Sequence, residues 1–160
     1  MTVLKEFGPM LRSDRAGEVA SVDNETDVAL VDDDPVLAAL VKRVLAKQGH
    51  SVTWFGDGLL AVAELCKPGG SLHAKVILLD VSMPGLGGFG VLHYLRRDGV
   101  LDASRVIMLT ASASEDDVRQ AIRLGATGYL AKPLDIRLLV DRVHRLLPAT
   151  PGSADNLIDT

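Results

Sequence analysis

The residues able to do chemistry in this chain stand just beyond short apolar runs. Asp32, Asp33 and Asp34 follow Val28 to Val31, Asp80 follows Val76 to Leu79, Thr110 follows Val106 to Leu109, and Lys132 comes shortly after Gly128 to Leu130. A lone acidic triplet ordinarily reads as a solvated turn that caps a helix, and that reading suits Asp34. Asp32 and Asp33 differ if the run ending at Asp80 lies beside theirs, because carboxylates crowded together repel one another and call for a cation. Oxygen ligands with no His or Cys nearby suit a hard ion such as magnesium, which keeps several waters and favours a phosphate oxygen as a further ligand. Thr110 alone would be an ordinary strand-end hydroxyl, and Lys132 alone a surface lysine beside Pro133. Grouped with Asp80, they supply the hydroxyl donor and point charge that a phosphoryl group on a carboxylate needs around its oxygens.

Positioning these groups requires a particular set of elements. Val28 to Val31, Ser51 to Phe55, Val76 to Leu79, Val106 to Leu109 and Gly128 to Leu130 read as strands, and their near-continuous apolarity predicts burial on both faces. Between and after them, Pro35 to Gln48, Leu59 to Lys67, Phe89 to Arg97, Glu115 to Leu124 and Ile136 to Leu147 read as helices. In the first, Leu37, Leu40, Val41, Val44 and Leu45 form one stripe, with Asp34 as N-cap, Pro35 at the first helical position and Gly49 as terminator. Ser114 caps the fourth, ahead of Glu115, Asp116 and Asp117. The alternation predicts βα units wound around a parallel sheet, whose sites form outside the carboxyl ends of the strands.

Composition narrows the class. The chain has 160 residues, 48% hydrophobic and 24% charged, with a formal net charge of -4, which fits one soluble domain and gives no broad positive footprint for nucleic acid. No direct nucleic-acid binding is expected. Residues 1–27 read as a polar N-terminal extension, partly disordered, residues 28–147 as the folded domain, and residues 148–160 as a tail or linker. Cys66 is the single cysteine, which excludes an internal disulfide, a CxxC pair and a zinc cluster and fits a reducing cytoplasm. No stretch reads as a signal peptide or membrane span, so a cytoplasmic location is expected. His50, His73, His93 and His144 lack ligand-like spacing and read as surface or packing residues, while Arg119, Arg123, Arg137, Arg142 and Arg145 read as a solvated face. Trp54 is expected to pack in the second strand, away from the candidate site.

Four segments, ALVDDDP, ILLDVSMPG, IMLTA and GYLAKP, resemble in order and spacing the signature segments of response-regulator receiver domains of two-component signalling. The resemblance implies a flavodoxin-like (βα)5 sandwich with parallel strand order 2-1-3-4-5. It also implies that Asp80 is the phosphoacceptor, that Asp32, Asp33 and the backbone carbonyl of Ser82 join it in holding Mg2+, and that Thr110 and Lys132 grip the phosphoryl oxygens. Thr110 and Tyr129 correspond to the switch pair that reshapes the surface of the fourth helix, fifth strand and fifth helix. Ser82 and Ser112, two residues beyond Asp80 and Thr110, fall where side chains flank the path of an attacking water and tune dephosphorylation.

The partners implied are a sensor histidine kinase or histidine phosphotransfer protein, an output domain or target protein, and a second copy in a phosphorylation-dependent homodimer. The resemblance implies no enzyme beyond transfer to itself and slow autodephosphorylation. One departure stands out: Gly87 occupies the place where an Asp usually caps the third helix, so a weaker cap is expected there, and Gly85, Gly87, Gly88 and Gly90 are expected to make the loop mobile. A dehalogenase-type phosphatase would carry a second Asp two residues after the first, where this chain has Ser82. Pseudo-receivers commonly lose an acidic ligand, the acceptor or the lysine, and all are present here.

Overall fold

The computed structural model describes residues 24–69, 72–112 and 114–147; the rest of the expected N-terminal extension, the expected tail, and residues 70, 71 and 113 lie outside them. Five strands, β1 (Glu25–Val31), β2 (Val52–Phe55), β3 (His73–Asp80), β4 (Arg105–Thr110) and β5 (Gly128–Ala131), form one parallel sheet in the order β2-β1-β3-β4-β5. The helices are α1 (Pro35–Lys47), α2 (Gly58–Leu65), α3 (Gly88–Arg97), α4 (Glu115–Arg123) and α5 (Ile136–Leu146). This is the expected flavodoxin-like topology.

Alternation along the strands divides the core into two layers. Ala29, Val31, Ile77, Leu79 and Met108 face one way and pack against α2, α3 and Ala121 of α4. Val28, Leu30, Val76, Leu78, Ile107 and Leu109 face the other way, against α1 and α5. Both faces are thus covered, which is why the strands read as unbroken apolar runs. Each fully buried Leu or Ile contributes about 1.5–3 kcal/mol of transfer free energy, so slippage of a strand by one residue would be opposed from both sides.

Local capping follows the sequence closely. The Asp34 carboxylate accepts from the amides of Val36 and Leu37 with Pro35 at the start of α1, and Gly49 ends that helix at φ +84. Asp57, Ser114 and Asp135 cap α2, α4 and α5. Gly87 gives α3 no side-chain cap, as its lack of an oxygen requires. Most boundaries shift by a residue or two, and the largest shifts are at the amino edge: β1 opens at Glu25 and β3 at His73, because Glu25 pairs with His73 and Thr26 with Ala74. Those amino-edge residues are too polar to extend an apolar run. A short 3-10 turn at Val100–Asp102 was not expected; it follows Gly99, held at φ +77.

At the start of α3 the backbone runs close to β3, and at the start of α2 close to the loop that precedes α3. A Cβ on Gly88 would lie 2.2 Å from the carbonyl oxygen of Asp80, and one on Gly58 would lie 2.5 Å from that of Leu86. At these two positions the missing side chain permits backbone to dock on backbone.

Candidate functional site

Register brings the strand ends together. Val31 pairs with Leu79, so Asp32 and Asp80 leave adjacent strands side by side; Asp80 pairs with Leu109, and Thr110 with Ala131, which places Lys132 next. The Lys132 amide donates to the Thr110 carbonyl at 2.6 Å, and the Lys132–Pro133 peptide is cis. Asp32, Asp80 and Thr110 are buried at 0%, 4% and 3% exposure, whereas Asp33 is exposed. One carboxylate oxygen from each of Asp32, Asp33 and Asp80 falls within a 4.8 Å cluster.

Lys132 reaches back over this cluster. Its Nζ donates to Asp32 Oδ2 at 2.8 Å and stands 3.3 Å from Asp80 Oδ1. Burial would lower the lysine's pKa, but the hydrogen bond and charge of Asp32, joined by Asp80, outweigh it and hold the ammonium above its ordinary value. Asp80 is pushed the opposite way for a carboxylate: burial and the neighbouring Asp32 charge raise its pKa, against the pull of Lys132 and the Ser82 amide, which donates to Asp80 Oδ1 at 3.3 Å. One ammonium among three carboxylates leaves the ionised cluster two positive charges short of neutrality. An all-oxygen donor set with that deficit fits a hard divalent cation such as Mg2+, with Asp32, Asp33 and Asp80 as the residues able to hold it.

The hydroxyl arm is parked elsewhere. Thr110 Oγ1 donates to the Ser112 carbonyl at 2.8 Å and accepts from the Ser112 amide at 3.0 Å, so it does not touch Asp80. Ser82 and Ser112, two residues beyond Asp80 and Thr110, are both exposed. Tyr129 is half-buried against the α2–α3 layer, and its hydroxyl is buried with no hydrogen-bond partner among the described residues.

A sequence profile of the response regulator receiver domain matches residues 28–144. The chain belongs to the response regulator receiver family. Among relatives of this receiver, the probable transcriptional regulatory protein TcrX of Mycobacterium tuberculosis is 35% identical over 123 residues, covering 77% of this chain and 50% of TcrX. The probable methanogenesis regulatory protein FilR2 of Methanothrix harundinacea is 31% identical over 135 residues, covering 82% of this chain and 87% of FilR2. Among solved structures, the chemotaxis response regulator CheY4 of Vibrio cholerae superposes with a TM-score of 0.68 at 29% identity, covering 77% of this chain and 99% of that one. The receiver chain spans about half the length of the Mycobacterium relatives it matches. Its family is a signalling domain of two-component systems. No helix among the described residues is long and apolar enough to cross a membrane.

Two residues of the receiver had been misplaced or overlooked. Trp54 packs within β2 as expected but not away from the site: its Nε1 donates to the main-chain carbonyl of Asp32 at 2.8 Å. Its partner lies 22 positions away in sequence, and strand periodicity says which way a side chain points but nothing of where an indole N–H ends. Gly88 seats α3 against Asp80, and the only signal in the sequence was a glycine at a helix start.

Proposed function

We propose that this receiver takes a phosphoryl group from the phosphohistidine of a sensor histidine kinase or histidine phosphotransfer protein onto Asp80. The observation that carries the reading is the convergence of Asp32, Asp33 and Asp80 with Lys132 bridging the two buried carboxylates. An Asp80 oxygen attacks phosphorus in line; the O–P bond forms as the P–N bond to the donor imidazole breaks, and the freed ring nitrogen takes a proton from water. Bound Mg2+, held by Asp32, Asp33, Asp80 and the Ser82 carbonyl, would neutralise charge on the phosphoryl oxygens. Lys132 keeps Asp80 ionised for attack and afterwards grips the phosphoryl group.

Thr110 joins that grip after giving up Ser112. Its rotation vacates space beside Tyr129, whose unpartnered hydroxyl leaves the ring free to move, and the α4–β5–α5 surface changes with it. Ser82 and Ser112 set the lifetime of the acyl phosphate through access of water. The output is carried by an attached domain or a separate target in the cytoplasm, with homodimerisation on phosphorylation as one route. Incubation with acetyl phosphate and Mg2+ tests the reading: wild type takes up one phosphoryl group, Asp80→Asn none, and equal uptake by both would overturn it.

A further inference from the structure

We propose that Trp54 is a positioning residue for the cation site, acting through the peptide that joins Asp32 to Asp33. This rests on the metal-holding role given to those carboxylates above. Asp32 is gripped at every polar atom: its amide donates to the Phe55 carbonyl at 3.1 Å, Oδ1 accepts from the Asp34 amide at 2.9 Å, Oδ2 accepts from Lys132, and its carbonyl accepts from the Trp54 indole. Asp33 is the contrast. Its exposed carboxylate makes no hydrogen bond or ion pair among the described residues, so its direction is set by the backbone alone. The carbonyl held by Trp54 belongs to the very peptide plane from which Asp33 departs, and a planar peptide transmits that orientation to the next Cα.

The indole is itself held in place. Lys42 Nζ of α1 lies 5.7 Å from the ring centroid, and a Cβ on Gly56 would press to 3.3 Å from Cζ2, so the missing side chain leaves the ring its seat. Among aromatic side chains only tryptophan combines this ring area with a donor at that reach. Without it, the carbonyl of the fully buried Asp32 is left unpaired, and the free protein gains reason to turn the peptide away from the geometry a cation needs.

Calorimetric Mg2+ titration of wild type, Trp54→Phe, an indole-to-benzothiophene replacement at position 54 that keeps shape but removes the N–H, and Asp33→Ala decides the matter. About fivefold weaker affinity in both Trp54 replacements is expected, the scale of one hydrogen bond. In wild type, the emission of Trp54, the chain's single tryptophan, should shift during the titration with the calorimetric midpoint. Loss of affinity with Phe but not with benzothiophene would assign the effect to packing and overturn the hydrogen-bond role. Unchanged affinity in both replacements, with Asp33→Ala impaired, would overturn the role while leaving the cation site standing. Wild-type affinity in Asp33→Ala would instead sink the cation site itself.

Discussion

The sheet carries a half-buried or buried carboxylate at each end, and the two are treated in opposite ways. At the amino edge, Asp27 is satisfied: its carboxylate accepts from the Ser51 amide at 3.0 Å and from Lys75 Nζ at 3.0 Å, and its own amide donates to Ser51 Oγ. Burial alone would raise its pKa, yet these bonds outweigh burial and hold it below the usual carboxylate value. At the carboxyl edge, burial and Asp32 push Asp80 above that value despite Lys132. The carboxylate that stitches strands together is given its donors, whereas the one at the carboxyl edge is left beside a second negative charge with too little positive charge to balance it.

Removing the lysine from each end should break this contrast most visibly. Lys132→Met leaves the buried carboxylates of Asp32 and Asp80 facing each other without a counter-charge, an expected loss of about 3 kcal/mol in urea unfolding at neutral pH without divalent ions. Lys75→Met at the half-exposed edge should cost under about 1 kcal/mol, since the Ser51 amide still serves Asp27. Similar losses from the two would erase the distinction drawn here.

A subtler pair sharpens it through pH. Asp27 has a folded pKa below its unfolded one, so its charge stabilises the fold above the unfolded value, and that contribution is lost as pH falls through the folded value. Asp80 has a folded pKa above its unfolded one, so its charge is a liability at neutral pH that disappears as pH falls through the raised value. At pH 7 and without metal, Asp27→Asn should therefore lower stability and Asp80→Asn raise it, each by on the order of 1 kcal/mol. Both differences should shrink toward zero below the ordinary carboxylate range. Denaturant titrations at pH 7 and at low pH check the signs.

The smallest effect belongs to Tyr129. Its hydroxyl is buried without a partner among the described residues, so Tyr129→Phe should be neutral or stabilise the unphosphorylated protein by up to about 1 kcal/mol, read as a rise in thermal midpoint. A clear loss of stability would mean that the hydroxyl has a partner in solution.

The carboxyl edge was the legible half of the molecule. Asp32, Asp80, Thr110 and Lys132 each interrupt or follow an apolar run, and a parallel sheet puts all such interruptions on one side. Nothing comparable marks the amino edge, where Glu25 and Asp27 read as N-terminal extension and His73 as a surface or packing residue until pairing and the Lys75 bridge give them a place. Contacts that depend on which atom of a long side chain meets which backbone group were equally hidden. Trp54 at the Asp32 carbonyl is one, and the approach of His50 to His144, 4.7 Å between ring centroids, is another.

The close seating of α3 on the backbone of Asp80 has a consequence for how such a sequence can vary. At Gly88 an added methyl would meet the Asp80 carbonyl and the Val81 Cα, both fixed by β3, so no rotamer change offers relief. At Gly90, by contrast, the obstacle is the side chain of Leu86, which can turn aside. Across a library of substitutions, position 88 should therefore read as invariant and position 90 as permissive, although both are glycines of the first helical turn, two residues apart. Tolerance to change along this helix is set by whether backbone or side chain stands in the way.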